Sequence, residues 1–264
     1  MPTSLYLDLQ AFLIAMALVT PRVLICLAIL PGFGLNVLNG AMKNSAAMAI
    51  ALPAALPVFY QVQKYPPDLA LGCALALKEA ALGLMLGALM SIPFWAVHSI
   101  GAVFDSQRAA VQVQSSNPAV DRDASAVGAM LIQAVALVMI QAGLFVALAR
   151  ILIESFIPWP AYSLMPPFEP GHFDVVVKRF GELFWHFIVY GAPVIIPLLL
   201  IELAFALIGI FASTMQVTSV SAPIKNLAGL FVLLIYWPTL SHYVAGDFSR
   251  LLELSSQLLT GSAK

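Results

Sequence analysis

Long apolar stretches constrain this chain more than any other feature of its sequence. A membrane-spanning helix needs about 20 predominantly apolar residues. Stretches near that length recur six times, at 9–30, 45–63, 70–100, 124–157, 183–211 and 227–245. The polar segments between them are too short for a separate soluble domain. We therefore predict an all-α fold of membrane-type helical hairpins, in a single domain over residues 1–264.

Two of these stretches, 70–100 and 124–157, exceed the roughly 17–25 residues that span a bilayer. Each must therefore tilt, break or continue beyond the bilayer. Prolines inside the apolar stretches predict kinked helices, because proline removes a backbone donor whose freed carbonyl needs another partner. Seven prolines have this placement: Pro21, Pro53, Pro57, Pro93, Pro193, Pro197 and Pro238.

Composition excludes an ordinary soluble protein. Of the 264 residues, 61% are hydrophobic and 9% are charged, so the apolar surface must face lipid or partner subunits. A net charge of -1 argues against nucleic-acid binding. Cys26 and Cys73 lie inside apolar stretches and are expected to be packing residues. The N-terminus has no basic region and no small-residue cleavage site, so we expect no cleaved signal peptide.

Charged side chains within apolar stretches are candidate functional residues, since each costs at least about 2.5–3.5 kcal/mol if it faces lipid. They are Arg22, Lys78, Glu79, Arg150, Glu154 and Glu202. Arg150 and Glu154 are four residues apart and are predicted to pair on one helix face. Lys78 and Glu79 are adjacent, about 100° apart around a helix, and cannot face one partner together. At least one of them needs another helix.

Glu202 is the most isolated of these charges, with no basic residue between Arg179 and Lys225. Its counter-ion must be distant in sequence or belong to another chain. Two roles stay open: a carboxyl held at a subunit interface, or a proton-relay group. Gly83 and Gly87 form a small-xxx-small pair that predicts close approach of another helix.

Enzymatic constellations are missing from the sequence. The four histidines are scattered, and no metalloprotease, nucleophile-elbow or phosphate-loop motif is present. The run 121–123, Asp-Arg-Asp, could suggest a metal site, but Asp123 is better interpreted as a helix N-cap. We predict no enzyme activity, no catalytic residue, no metal and no cofactor.

Three stretches resemble the SctT, SpaR, YscT and FliR family of type III secretion and flagellar export-gate proteins. The first runs from Lys78-Glu79 into Gly101-Ala102-Val103-Phe104-Asp105-Ser106-Gln107-Arg108, which is similar to the Gly-x-x-x-Asp-x-Gln-Arg signature of the injectisome branch. The second is residues 155–160, Ser-Phe-Ile-Pro-Trp-Pro. The third runs from Pro193 through Glu202 to Pro223-Ile224-Lys225, with the departure Ala-Ser-Thr-Met-Gln at 212–216.

The resemblance implies a hetero-oligomeric, helical export gate in the bacterial inner membrane, through which unfolded proteins are secreted as part of virulence. SctR-like and SctS-like subunits are the implied partners, together with SctU-like and SctV-like components and membrane lipid. In such relatives the assembled helices sit largely above the membrane plane. An alternative is a proton-coupled small-molecule transporter or channel that functions alone, with Glu202 as its titrating group.

The resemblance also assigns candidate residues. The segment from about Asp105 to Arg122 is the candidate plug or constriction of the pore, and an ordinary solvated loop is the other interpretation. Its pore-lining candidates are Asp105, Gln107, Arg108, Gln112, Gln114 and Asn117. The candidates for subunit contacts are Lys78, Glu79, Glu202, Met215 and Lys225.

Overall fold

A computed structural model describes residues 2–31, 39–112, 125–164, 170–211 and 217–261. Within these ranges the chain is helical and contains no strand, which confirms the all-α prediction. The described helices are α1 (Pro2–Ile29), α2 (Gly40–Lys64), α3 (Leu69–Gln112), α4 (Ala126–Gln141), α5 (Leu144–Glu154), α6 (Pro170–Phe211) and α7 (Val217–Gly261).

Five of these helices contain a segment long and apolar enough to cross a membrane, and the bent pair α4–α5 supplies a sixth candidate. The five segments are Leu5–Ile29, Gly40–Lys64, Leu69–Ser106, Trp185–Phe211 and Pro223–Arg250. Each corresponds to one of the predicted apolar stretches, and the bent pair corresponds to the stretch 124–157. The chain is therefore a multi-pass membrane-type protein.

The two overlong stretches are accommodated in different ways. The stretch 124–157 breaks, because α4 and α5 meet at 78° across two residues. Gly143 makes this bend with a φ of 71°, a conformation that costs glycine nothing and most other residues a steric clash. The stretch 70–100 instead extends into the 44-residue helix α3, which continues through Pro93. All seven prolines predicted to lie within apolar helices do so.

The described chain forms two compact units. The first comprises Met1–Ile92, Met139–Phe180 and Phe248–Lys264. In this unit α1 and α2 pack as a hairpin, with the rings of Phe12 and Phe59 in edge contact at 6.5 Å. The side-chain amide of Gln63 donates to Asp8 at 2.7 Å and ties the open ends of the hairpin.

The crossing of α1 and α3 in the first unit depends on two glycines. A Cβ added to Gly83 would lie 2.3 Å from the carbonyl oxygen of Arg22, and one added to Gly87 would lie 2.9 Å from Cα of Cys26. The backbones therefore approach as closely as the small-xxx-small pattern predicted, and that prediction is confirmed.

The second unit comprises Pro93–Val138 and Gly181–Asp247. Among the five spanning-length segments, those in its α6 and α7 are the least buried. Only 11% of the apolar window in Trp185–Phe211 and 17% of that in Pro223–Arg250 is buried, against 67% in Leu69–Ser106. Within the described residues, these two helices consequently present exposed apolar surface.

The two cysteines have different environments. Cys26 is fully buried in α1, as expected for a packing residue. Cys73 is exposed, which corrects the expectation that it packs within the chain. It lies at four-residue spacing between Leu69 and Leu77, which are 82% and 73% exposed, so it belongs to an outer face of α3.

Candidate functional site

A buried ion pair lies at the crossing of α1 and α3. The Arg22 guanidinium donates from Nε to Glu79 Oε2 at 2.6 Å and from Nη2 to Oε1 at 2.9 Å. Both side chains are fully buried. This two-pronged geometry is the strong form of an arginine–carboxylate pair, and it compensates two charges that the apolar surroundings would otherwise exclude.

The remaining donors of Arg22 hold the segment that follows α5. Its Nη1 donates to the carbonyl and hydroxyl oxygens of Ser155 at 2.8 and 2.9 Å. Its Nη2 donates to the Trp159 carbonyl at 2.7 Å, and the Phe156 ring lies 3.9 Å from the guanidinium carbon. Arg22 thus holds the stretch 155–160, noted above for its family resemblance, against α1.

Lys78 completes this cluster, which we call the Arg22 cluster: Arg22, Lys78, Glu79 and the carbonyl groups they contact. Its Nζ lies 2.7 Å from Glu79 Oε1 and donates to the carbonyls of Pro160, Ala161 and Ser163 at 2.8–3.1 Å. The prediction that one of the pair needs another helix is confirmed, since Glu79 reaches α1. The two side chains face different partners, Arg22 for Glu79 and the carbonyls of 160–163 for Lys78, although the long lysine side chain also bends back to its neighbour's carboxylate.

These contacts lie within the chain, so the role of Lys78 and Glu79 in subunit contacts stays a prediction. The sequence analysis identified Arg22 as a charge within an apolar stretch, but it did not predict its partner. The available signal was the opposite sign of Arg22 and Glu79 in two apolar helices, where each charge needs a counter-ion. The exposed pair in α5 was predicted correctly, with Arg150 Nε 2.7 Å from Glu154 Oε1.

The Gly-x-x-x-Asp motif of α3 builds a second close contact, in the second unit. A Cβ on Gly101 would lie 2.4 Å from Cα of Gly128, so α3 and α4 touch backbone to backbone. Phe104 is buried, and its ring occupies the place of a missing side chain at Gly229 of α7, where a Cβ would lie 2.2 Å from the ring. Gly101 and Phe104 therefore pack α4 and α7 against this part of α3.

Asp105 of the same motif caps α4. Its Oδ2 accepts hydrogen bonds from the Val127 backbone N–H and from the Ser125 hydroxyl, both at 2.8 Å. The Ser125 hydroxyl in turn accepts from the Gly128 N–H at 2.8 Å, so Ser125 is the N-cap of α4. The predicted N-cap, Asp123, lies outside the described residues. A carboxylate at a helix N-terminus also interacts favourably with the helix dipole.

The structure describes little of the remaining candidate residues. Gln107, Arg108 and Gln112 belong to α3, but their side chains are not among those described. Gln114, Asn117 and Met215 lie outside the described residues altogether. Their predicted roles stay predictions.

Replacing Asp105 should test whether the capping contact matters. Asp105→Ala removes the acceptor for two donors, and we expect a loss of about 0.5–2 kcal/mol of unfolding free energy. Asp105→Asn is the control, because the amide oxygen can still accept both hydrogen bonds while the charge is lost. Denaturation of the detergent-solubilised protein measures both. Equal stability of Asp105→Ala and the original chain would contradict the capping role.

Glu202 has a counter-ion within its own chain. Its Oε1 lies 3.2 Å from the Lys225 ammonium, which joins α6 to α7. The exposed fractions differ, at 56% for the Glu202 side chain and 10% for Lys225. Of the two open positions for the counter-ion, distant in sequence or on another chain, the structure selects the first.

Comparison with known proteins gives the family. The model of the family described as "Bacterial export proteins, family 1" matches residues 13–251, nearly the whole chain. This chain belongs to that family. Among its relatives in the family is the Yop proteins translocation protein T of Yersinia pestis, 31% identical over 233 residues, 86% of this chain and 87% of the relative.

Two further relatives extend the family comparison. The surface presentation of antigens protein SpaR of Salmonella typhimurium is 30% identical over 241 residues, covering 89% of this chain and 87% of the relative. The flagellar biosynthetic protein FliR of Caulobacter vibrioides is 24% identical over 239 residues, covering 90% and 94%. The resemblance to the SctT, SpaR, YscT and FliR family is confirmed.

Proposed function

We propose that this bacterial export protein is a non-enzymatic subunit of a type III secretion export gate. With SctR-like and SctS-like subunits it would form the inner-membrane entry pore for unfolded proteins, next to SctU-like and SctV-like components. The observation that carries the proposal is the family match over residues 13–251, with relatives named for translocation and for a secretion system apparatus over 86–90% of the chain.

The same comparisons favour the injectisome branch over the flagellar one. Identity is 31% to the Yersinia translocation protein and 30% to the Salmonella surface presentation of antigens protein SpaR, against 24% to the flagellar protein. The Asp105-x-Gln107-Arg108 form of the α3 motif points in the same direction.

Exposed apolar helices give physical support for a subunit of an assembly. Leu199, Leu203 and Leu207 on α6 are each at least 50% exposed, and Leu227, Phe231 and Leu234 on α7 are at least 64% exposed. Apolar surface of this extent needs lipid or protein to cover it. Partner helices would also satisfy the carbonyls that Pro193 and Pro197 leave free in α6.

For the candidate plug we propose that Asp105 has a structural role and that the other candidate residues line the pore. Asp105 holds the start of α4 beside the end of α3, and so sets the base of the segment up to Arg122. The polar side chains of Gln107, Arg108, Gln112, Gln114 and Asn117 would then line or seal the passage. Uncharged amides suit this task, because they hydrogen-bond a passing chain without holding it strongly.

Glu202 and Lys225 are proposed as contacts to neighbouring subunits, and Glu202→Ala should weaken retention of the partners. The exposed carboxylate is free on one side to accept a partner's donor, and its loss also leaves the Lys225 ammonium without its counter-ion. We expect several-fold less partner protein to co-purify with a tagged Glu202→Ala chain. Glu182→Ala, another glutamate of α6, is the matched control. Unchanged co-purification would remove the anchoring role.

The alternative function, a proton-coupled transporter that functions alone, depends on Glu202 being an isolated carboxylate. Its ion pair with Lys225 removes that isolation. Deletion of the gene that encodes this chain distinguishes the export gate from the transporter. We expect secretion through the apparatus to stop and to return when the chain is restored. Continued secretion together with loss of uptake of a small solute would support the transporter instead.

A further inference from the structure

The exposed side of α2 in the first unit has a graded composition. One large side chain is exposed on each of five successive turns, at Met48, Leu52, Leu56, Tyr60 and Lys64. The exposed fractions of the first four are 49%, 47%, 56% and 69%. We call these five residues the α2 ridge. Along the ridge the side chains pass from apolar to aromatic to charged, towards the open end of the α1–α2 hairpin.

The buried side of α2 consists of smaller residues than the ridge. Ala47, Ala51 and Ala55 are fully buried, and Val58 and Val62 are buried as well. A helix of a water-soluble protein has the opposite arrangement, with large apolar side chains buried and polar ones exposed. Small residues towards the neighbouring helix are typical of helices that pack within a bilayer, where lipid covers the remaining surface. The arrangement in α2 therefore favours lipid over water outside the ridge.

The open end of the hairpin carries two exposed tyrosines at one level. The contact of the two phenylalanine rings and the hydrogen bond from Gln63 to Asp8 share one antiparallel register of α1 and α2. Continued by two residues, this register places Tyr6 of α1 level with Tyr65, directly after α2. The two side chains are in residues 67% and 63% exposed. The Lys64 ammonium lies 5.3 Å from the centre of the Tyr65 ring, within cation–π distance.

Tyrosines and a lysine at one level are typical of the membrane–water interface. Tyrosine places its ring among the lipid headgroups, and lysine extends its ammonium group from apolar surroundings towards water. From Met48 to Tyr60 the helix rises about 18 Å, slightly more than half of a hydrocarbon core of about 30 Å. The apolar part of the ridge thus has the length of one leaflet. Lysine is depleted from protein–protein interfaces, which makes a partner subunit the less suitable cover.

We propose that the α2 ridge is a lipid-contacting surface of the assembled protein, with Tyr6, Lys64 and Tyr65 in the headgroup region of a phospholipid bilayer. Acyl chains cover the apolar part of the ridge. The inference goes beyond the proposed function, because it assigns lipid instead of a partner subunit to this face and places the open end of the hairpin at one membrane surface. It depends on the membrane-type character of the chain and not on which subunits the chain joins.

Electron paramagnetic resonance of spin-labelled chains tests the proposal. Leu52→Cys, Leu56→Cys and Lys64→Cys are each made in the full chain with Cys73→Ser, and the label is attached to the new cysteine. Each chain is placed in phosphatidylethanolamine–phosphatidylglycerol vesicles together with the SctR-like and SctS-like subunits that co-purify with it. Oxygen dissolves in the hydrocarbon core, whereas a water-soluble nickel chelate stays outside it. We expect the ratio of oxygen to nickel collision rates to be at least about fivefold higher at Leu52→Cys and Leu56→Cys than at Lys64→Cys.

Three controls accompany these variants. Ala51→Cys lies on the buried side of the same helix and should take up little label, because that position is fully buried. The chain with Cys73→Ser alone measures any label on the buried Cys26. Tyr6→Cys and Tyr65→Cys should give similar collision ratios, since the register of the hairpin places them at one level. Met48→Cys replaces any ridge variant whose unfolding midpoint shows that it does not fold.

Two results would overturn the proposal. Ratios at Leu52→Cys and Leu56→Cys as low as that at Lys64→Cys would show that water reaches the ridge. Low collision rates with both reagents at these positions would show that protein covers it. The protein composition of the same particle reports separately whether the partner subunits are retained, so a failure of the proposed function is distinguishable from a failure of the lipid contact.

Discussion

Glu79→Ala is expected to lower the free energy of unfolding by about 3–5 kcal/mol. The reason is the fully buried Arg22 guanidinium, which would lose both of its bonds to the carboxylate and remain charged in an apolar place. Lys78 would lose the same counter-ion. Since many proteins have only about 5–15 kcal/mol of stability, this loss is a large fraction of the total. Denaturation in detergent and the yield of folded protein both report it.

Two controls separate charge from packing at the Arg22 cluster. The double replacement Arg22→Met and Glu79→Leu removes both charges while keeping apolar volume, and we expect it to be clearly more stable than Glu79→Ala. Glu154→Ala breaks the exposed pair with Arg150 and should change stability little. If Glu79→Ala were as stable as Glu154→Ala, the cluster would not hold α1 against α3.

Gly83→Ala should also be strongly destabilising, although it adds one methyl group. The added Cβ would lie 2.3 Å from the Arg22 carbonyl oxygen, and that atom belongs to the backbone of α1 and cannot rotate away. The two helices must separate, which we expect to cost about 1–3 kcal/mol or more. The Arg22 cluster would be strained by the same displacement, because the shift moves Arg22 away from Glu79.

Gly72→Ala is the matched control on the same helix. A Cβ at Gly72 meets nothing within 4 Å, so only the higher helix propensity of alanine counts. That change is expected to be neutral or to stabilise the chain by up to about 1 kcal/mol. Comparison of the two unfolding midpoints therefore isolates the close approach of the helices. Equal midpoints would contradict the close crossing of α1 and α3 at Gly83.

Features that depend on local sequence were predicted well. Apolar stretches of spanning length gave the helices, because length and hydrophobicity alone decide whether a segment can cross a bilayer. The excess length of 124–157 predicted a tilt, a break or a continuation beyond the bilayer, but the sequence did not decide among them or point to Gly143. The small-xxx-small pair also gave the close crossing at Gly83 and Gly87, since the absence of a side chain is itself the signal.

Features that depend on tertiary structure were not predicted in detail. The partners of Arg22 are Glu79 and the segment from Ser155 to Trp159, far away in sequence. The sequence around a charged residue does not show which residue of opposite charge will pair with it in the folded chain. Asp105 was assigned to a pore from family resemblance, whereas its cap on α4 requires knowing that α3 and α4 cross at Gly101 and Gly128.

The central claim is that partner subunits cover the exposed apolar faces of α6 and α7. Its most direct test is the mass of the particle extracted in mild detergent after co-expression with SctR-like and SctS-like subunits. The account predicts one particle, far heavier than this 28.3 kDa chain and containing all three proteins. A monodisperse 28.3 kDa monomer that ignores those subunits and moves a small solute when reconstituted alone would contradict it.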